Sequence, residues 1–121
     1  MVMLIPNAQS LFMAFNLEIE ISLADVRLIL GDRFDQVFKR AIHTSACPGC
    51  RREFNATIAI KEIWLNHIGD IIVEGWCKDC GFKLSQYIES SNFPESYDQA
   101  IAIRDLKMQV LGDYRARPAG G

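Results

Sequence analysis

The chain has 121 residues, half of them hydrophobic, and a formal net charge of −2. These totals suit one compact domain with a modest core and exclude a disordered chain. The small negative charge argues against a protein that coats nucleic acid by bulk electrostatics. The charge is uneven, because residues 39–83 carry seven basic and five acidic side chains between two more acidic flanks.

The N-terminal stretch MVMLIPNAQSLFMAF is apolar but has no basic region, and Pro6 and Asn7 interrupt it. It does not fit a secretory signal, and no run approaches the ~18 apolar residues of a membrane span. We therefore expect a cytoplasmic protein with no membrane partner. Met13 offers a second plausible start, so residues 1–12 are either native or an upstream extension.

The first predicted elements are a strand and a long helix. In NLEIEI (residues 16–21) apolar residues alternate with glutamates, which is typical of a half-buried strand. Ser22 and Asp25 form a Ser-x-x-Asp capping box, so a helix should begin at Leu23 and reach about His43.

Gly31 and Asp32 interrupt this helix, but its apolar stripe stays in phase across them. The stripe consists of Leu23, Val26, Leu30, Phe34, Val37, Phe38 and Ile42. We favour one kinked helix over two helices of which Asp32 caps the second.

A β-hairpin is predicted further along the chain. EFNATIAI (residues 53–60) and DIIVEGW (residues 70–76) are rich in β-branched and aromatic residues, and the turn NHIGD lies between them. The arms are unequal, so either the first strand holds a bulge or RREFN forms a loop before pairing begins. GFKLSQYIE should form a third strand.

The last predicted element is a helix that starts at Ser96, with Gln99 completing a capping box. Gly112 suits the residue after its C-terminus. The remaining stretch, DYRARPAGG, has the composition of a flexible tail.

Four cysteines carry the main chemical signal: Cys47, Cys50, Cys77 and Cys80. Two residues between ligands allow one tight turn to aim both sulfurs at one point, and a hairpin returns the second pair beside the first. Thiolates suit zinc, so we predict one structural Zn²⁺ per chain.

Three other interpretations of the cysteines stay open. A thioredoxin-like redox pair needs a strand before CPGC and a helix after it, whereas here the predicted order is reversed. Disulfides need an oxidising compartment, and no signal peptide is visible. Four cysteines in this pattern also suit a single iron, although the long hairpin favours zinc.

The order CPGC, hairpin, CKDCG and further strand resembles the zinc-ribbon fold group over residues 45–88. The resemblance implies a structural zinc and often a place in transcription, translation or nucleic-acid handling, but no single activity. Gly49 and Gly81 fit the same pattern, since glycine lets backbone N–H groups point at a sulfur.

Two histidines and two tryptophans are further candidates for the site. His43 and His67 are candidate ligands, but four cysteines already fill a tetrahedron, so helix-end and turn roles are favoured. Trp76 should pack beside the second cysteine pair, and Trp64 should share a partly exposed face with Glu62 and Ile60.

Six basic residues lie near the cysteine pairs and are candidate nucleic-acid contacts. They are Lys39, Arg40, Arg51, Arg52, Lys78 and Lys83. Such cations also serve to offset the formal −2 charge of a zinc bound by four thiolates.

The predicted fold is α+β: a three-stranded zinc ribbon flanked by an N-terminal strand and long helix and by a C-terminal helix, in a single compact domain. Its parts are an N-terminal extension (1–15), strand plus helix (16–44), zinc ribbon (45–90), C-terminal helix (91–112) and flexible tail (113–121).

No catalytic constellation is present in the sequence, so we expect a non-enzymatic binding module. The acidic flanks favour a regulatory adaptor that binds an unidentified protein partner. The alternative is a nucleic-acid-associated regulator that uses the basic rim of the ribbon. The long helix and the edge strand at residues 16–21 also favour a homodimer.

Overall fold

The computed structural model describes residues 16–112 and 114–119. The predictions for residues 1–15, including the second start at Met13, lie outside the described residues. The described chain combines helices with an antiparallel sheet, so the α+β class is confirmed. None of the helices within these two ranges is long and apolar enough to cross a membrane.

The described residues form seven strands. They are β1 (Leu17–Ile21), β2 (Ser45–Cys47), β3 (Arg52–Ala56), β4 (Ile58–Leu65), β5 (Ile71–Cys77), β6 (Lys83–Ile88) and β7 (Ala116–Pro118). Five of them form one antiparallel sheet in the order β6-β5-β4-β1-β7, and β2 and β3 form a separate pair. The predicted three-stranded sheet is therefore too small, because an N-terminal and a C-terminal strand extend it.

The helical elements pack on one face of this sheet. They are α1 (Leu23–Leu30), a 3₁₀ turn (Gly31–Arg33), a π-helical segment (Phe34–Lys39), α2 (Arg40–His43), a second 3₁₀ turn (Ser90–Asn92), α3 (Pro94–Asp105) and a second π-helical segment (Leu106–Leu111). Helices α1 and α3 contact each other. Their buried residues and the inward residues of β1, β4 and β5 form one hydrophobic core.

The predicted start of α1 is confirmed. The Ser22 hydroxyl accepts a hydrogen bond from the Asp25 N–H at 3.1 Å, and the Asp25 carboxylate accepts one from the Ser22 N–H at 2.9 Å. This capping box satisfies two backbone donors that the first helical turn leaves without partners.

The predicted single helix is instead broken at Gly31. Its φ of 54° lies in the left-handed region, which a glycine adopts at little cost. The apolar stripe nonetheless continues past the break, because Phe34, Phe38 and Ile42 are buried and the two phenyl rings stack with centroids 5.2 Å apart.

Of the two expected causes of the unequal hairpin arms, the bulge is present, whereas the RREFN loop is not, because most of that segment forms a strand. The β4–β5 pairing shifts register between Ile60 and Glu62, which places a bulge at Lys61. The RREFN segment leaves the hairpin to form most of β3, which pairs with β2. The bulge also puts Ile60 and Trp64 on opposite faces, so the prediction that they share a face is wrong.

The β4–β5 turn forms at NHIGD, as predicted. The Asn66 side-chain oxygen accepts hydrogen bonds from the backbone N–H groups of Ile68 (3.1 Å) and Asp70 (2.9 Å). Gly69 has a φ of 86°, so it supplies the left-handed residue of the turn.

The last helix begins earlier than predicted. Pro94 is its first residue and Phe93 precedes it without a side-chain cap, so Ser96 lies buried within the first turn. Proline favours the first helical position because its missing N–H has no helical partner there. At the other end Gly112 is left-handed, with a φ of 65°, as predicted for a residue that ends a helix.

The predicted flexible tail is wrong for residues 116–118, which form β7 and pair with β1. Strand β7 covers the edge that β1 was expected to offer for self-association. The Arg117 guanidinium reaches across the sheet and donates to Glu18 at 2.6 Å and to Glu74 at 2.8 and 2.7 Å. These bonds lower the pKa of Glu74 and raise that of Arg117.

The ion pair between Arg117 and Glu74 should therefore contribute to stability. We expect a double-mutant cycle with Arg117→Met and Glu74→Gln to give a coupling energy of about 1–2 kcal/mol in denaturant unfolding, because both side chains are largely buried. The pair between Arg115 and Glu20 is the control, since its arginine is 67% exposed and its coupling should stay below about 1 kcal/mol. Equal couplings would contradict the role assigned to Arg117.

Candidate metal centre

Two tight turns present the cysteines. In the first knuckle (residues 47–51) Cys47 ends β2, and in the second knuckle (residues 77–81) Cys77 ends β5. Cys77 lies directly opposite Ile58 at the start of β4. Because β3 leads from the first knuckle into β4, the β4–β5 hairpin returns the chain to the starting end and places the knuckles side by side.

The four sulfur atoms converge on one centre, as predicted. Cys47 Sγ lies 3.5 Å from Cys80 Sγ, and Cys50 Sγ lies 3.5 Å from Cys77 Sγ. All four lie within 4.8 Å of one another. Tetrahedral Zn–S bonds of ~2.3 Å require sulfur separations of about 3.8 Å. The arrangement can therefore bind a metal ion with four thiolate ligands.

The ionisation of the thiols is set by their surroundings. Hydrogen bonds from the backbone N–H groups of Cys80 and Asp79 lower the pKa of Cys77 to about 6. Burial raises the pKa of Cys47, and hydrogen bonding to the neighbouring thiols raises that of Cys50. These hydrogen bonds thus favour the thiolate form of Cys77, and a bound cation would stabilise the thiolate forms of Cys47 and Cys50.

The alternative interpretations fit the geometry less well. No helix begins at the first knuckle, because β3 follows it, so the helix N-terminus that activates a thioredoxin-like cysteine is missing there. All four cysteines are free of disulfides. Each Sγ–Sγ distance of 3.5 Å separates a cysteine of one knuckle from a cysteine of the other, as expected if all four sulfurs bind one shared ion.

The two knuckles share a backbone feature after their second cysteine. Arg51 and Gly81 occupy equivalent positions and both are left-handed, with φ of 59° and 77°. Arg51 is the one non-glycine residue with positive φ in the described ranges, and such a residue is strained.

Gly49 has a spatial role. A Cβ atom at this position would lie 2.9 Å from Cys80 Sγ and 2.8 Å from Phe82 Cβ, closer than real Cβ contacts come. Glycine therefore lets the first knuckle approach the second. This role in close approach differs from the predicted one, in which Gly49 lets backbone N–H groups point at a sulfur.

The histidines lie outside the four-cysteine cluster. The His43 ring is in hydrogen-bond contact with the Thr57 hydroxyl at 3.2 Å at the end of α2. His67 lies in the β4–β5 turn, at the far end of the hairpin from the knuckles. Both positions agree with the helix-end and turn roles that the sequence favoured.

The six predicted basic residues are all exposed, but they differ in their ion pairs. Lys39 pairs with Asp35 at 3.2 Å, and Arg52 pairs with Asp79. The other four form no ion pair with another described residue; they are Arg40, Arg51, Lys78 and Lys83.

The two tryptophans differ from expectation. Trp64 is only 2% exposed, because the guanidinium groups of Arg115 and Arg117 lie over its ring at 5.5 and 4.2 Å. Trp76, expected to pack beside the knuckle, is 43% exposed and has the Lys61 ammonium 5.7 Å from its ring centroid.

Two residues near the site, Gly75 and Lys61, were not identified from the sequence. A Cβ at Gly75 would lie 1.9 Å from the Ala59 carbonyl oxygen, so only glycine fits opposite the bulge in β4. Lys61 is the bulged residue itself. The sequence contains two signs of a bulge, which are the unequal hairpin arms and the glycine inside DIIVEGW. Neither shows at which residue the bulge lies.

Comparisons with known proteins find no relative of this chain. No protein-family model, curated protein or solved structure matches it.

Loss of one ligand should abolish metal binding. We expect Cys77→Ser to lower the metal content from about one ion per chain to near zero and to reduce helix and sheet content, because Cys77 is both a ligand and a core residue. Elemental analysis and circular dichroism measure the two effects. His43→Gln is the control and should keep its ion; loss of metal from this variant instead would contradict the four-cysteine site.

Substitutions at Gly49 and Arg51 should have opposite effects. Gly49→Ala should weaken metal retention against a chelator, because the added methyl group pushes on Cys80 and Phe82. Arg51→Gly should preserve retention and stabilise the fold by up to about 1 kcal/mol, since it removes left-handed strain. Denaturant unfolding of the metal-loaded proteins, with chelator competition, distinguishes the variants. Equal retention by Gly49→Ala and wild type would contradict the close approach.

Proposed function

We propose that the chain is a non-enzymatic zinc-ribbon module in which Cys47, Cys50, Cys77 and Cys80 hold one structural Zn²⁺. Four soft thiolate donors, two knuckles and a long hairpin support zinc over iron. Four protein ligands leave no open coordination position for substrate or water, which argues for a structural ion. Bound zinc would lock the β2–β3 pair to the large sheet and so contribute to folding.

We further propose that the surface around this ion binds nucleic acid. One observation carries the proposal: five exposed cations near the knuckles and the adjoining strands form no ion pair with another described residue. They are Arg40, Arg51, Lys61, Lys78 and Lys83. They outnumber the formal −2 charge of a zinc tetrathiolate, so the metal end keeps a positive surface that suits phosphates.

The ion pairs of the sheet glutamates support this choice over the adaptor that the sequence favoured. Arg117 pairs with Glu18 and Glu74, and Arg115 pairs with Glu20 and Glu62. Most of the acidic charge on the sheet is thus neutralised within the molecule. It is not a free surface that a basic protein partner would recognise.

A second candidate function is the protein adaptor, and exposed apolar residues on the helices favour it. They are Leu23, Leu28, Leu106, Val110 and Leu111, of which Val110 is 72% exposed. Apolar side chains exposed on neighbouring helices are typical of a protein–protein contact. This surface lies on elements other than the knuckles, so the two functions can be tested separately.

Removing cations at the metal end should weaken nucleic-acid binding. We expect Arg51→Gln, Lys78→Gln and Lys83→Gln together to lower the salt dependence of log K by about two to three, with a loss of affinity, because each cation releases about one counterion. Fluorescence anisotropy with a labelled random-sequence oligonucleotide over a salt series measures this change.

The control variant combines Gln36→Glu, Gln99→Glu and Gln109→Glu, which lowers the net charge by the same amount at exposed helical positions. It should bind almost as wild type does. Equal losses in the two variants would show that net charge alone governs binding. No binding by wild type at low salt would overturn the nucleic-acid proposal in favour of the adaptor.

A further inference from the structure

The outer face of the sheet, away from the helices, carries both tryptophans. In the register of β4 and β5, Trp64 lies opposite Ile72, and Trp76 follows on the same face of β5 four residues later. Arg115 and Arg117 cover Trp64 from the C-terminal segment. No described segment covers Trp76 in this way, and its side chain stays 43% exposed beside the second knuckle.

Cations surround the exposed indole. Lys83 lies directly opposite Trp76 on β6, and the bulge in β4 directs Lys61 so that its ammonium is 5.7 Å from the indole centroid. On the β4 side the residue opposite Trp76 is Ala59, whose small side chain leaves room beside the ring. Neither lysine forms an ion pair with another described residue.

A flat aromatic ring between unpaired lysines is complementary to a ligand with exposed π-faces joined by phosphates. Single-stranded nucleic acid has both features, because its bases are free to stack on an aromatic side chain. In a duplex the base faces are already stacked on one another, so Trp76 would have no surface to contact. An acidic peptide could pair with the lysines but would not need the indole.

We propose that Trp76 stacks on a base of single-stranded DNA or RNA while Lys61 and Lys83 bind the flanking phosphates. This inference rests on the proposed nucleic-acid function and specifies its ligand. It also assigns a purpose to the bulge, since without the extra residue Lys61 would not be directed towards the indole.

The decisive variant is Trp76→Leu, and the matched control is Tyr97→Leu. Tyr97 has the same 43% exposure but lies on α3, away from the knuckles. We expect Trp76→Leu to weaken binding of a labelled single strand by about 5- to 150-fold, which is the range for loss of one stacked base. Tyr97→Leu should have no effect. Thermal melts and metal content confirm that both variants are folded.

Four probes distinguish the outcomes: single-stranded DNA, single-stranded RNA, duplex DNA and polyglutamate as competitor. Preference for a single strand that is lost in Trp76→Leu supports the inference, and the tighter of the two strands identifies the ligand. If duplex binds equally well and Trp76→Leu has no effect, the stacking role is overturned while nucleic-acid binding stands. Binding to none of the nucleic acids would overturn both.

Two further readouts test stacking directly. Saturating single strand should quench the tryptophan emission of wild type but not that of Trp76→Phe, in which only buried Trp64 emits, while Trp76→Phe should keep most of the affinity. If polyglutamate displaces the strand when both are present at the same concentration of charge, the stacking role is overturned, because charge alone would then explain binding.

Discussion

The convergence of four cysteine sulfurs is the constraint on which the rest of this structure depends. The candidate ligands come from two segments with 26 residues between them, and the β4–β5 hairpin returns the chain to its starting end and brings them within 4.8 Å of one another. Cys47 and Cys77 are also buried members of the hydrophobic core. A bound metal ion would therefore stabilise the same contacts as the hydrophobic core, which suits a small domain with limited apolar area.

The C-terminal segment determines the character of the outer face. Strand β7 pairs with β1, and Arg115 and Arg117 then lie over Trp64 and pair with glutamates of β1, β4 and β5. This neutralises acidic charge on one half of the face and buries its tryptophan. The half nearest the knuckles keeps an exposed tryptophan and lysines that form no ion pair with another described residue, so one sheet face has a structural half and a candidate binding half.

The helical segment that follows β1 is interrupted, but its apolar residues remain packed towards the sheet. Gly31 breaks the helix, and a 3₁₀ turn and a π-helical segment follow before α2. The buried positions still continue from Leu30 to Phe34 and Phe38, because the irregular turns keep the apolar stripe towards the sheet. Burial on the sheet thus outweighs regular helix geometry in this segment.

The sequence by itself determined the elements that depend on local patterns. The cysteine spacing predicted one shared centre, the alternation in NLEIEI predicted β1, and the capping box at Ser22 predicted the start of α1. Each of these signals lies within a few residues or follows from the simplest return path between two turns. The four thiolate donors and the hairpin between them predicted zinc, and the geometry accommodates a metal ion without identifying it.

Only the tertiary structure decided features that depend on distant residues. Arg117 contacts Glu18 across a separation of 99 residues, and no local pattern in RARP reveals that this segment completes a sheet. The Arg117 guanidinium also covers the ring of Trp64, whereas the sequence periodicity predicted a partly exposed side chain. The bulge at Lys61 has a similar origin, because pairing between β4 and β5 selects its position. Strand partners and the charges they neutralise are set by long-range packing, which one strand's sequence specifies only in part.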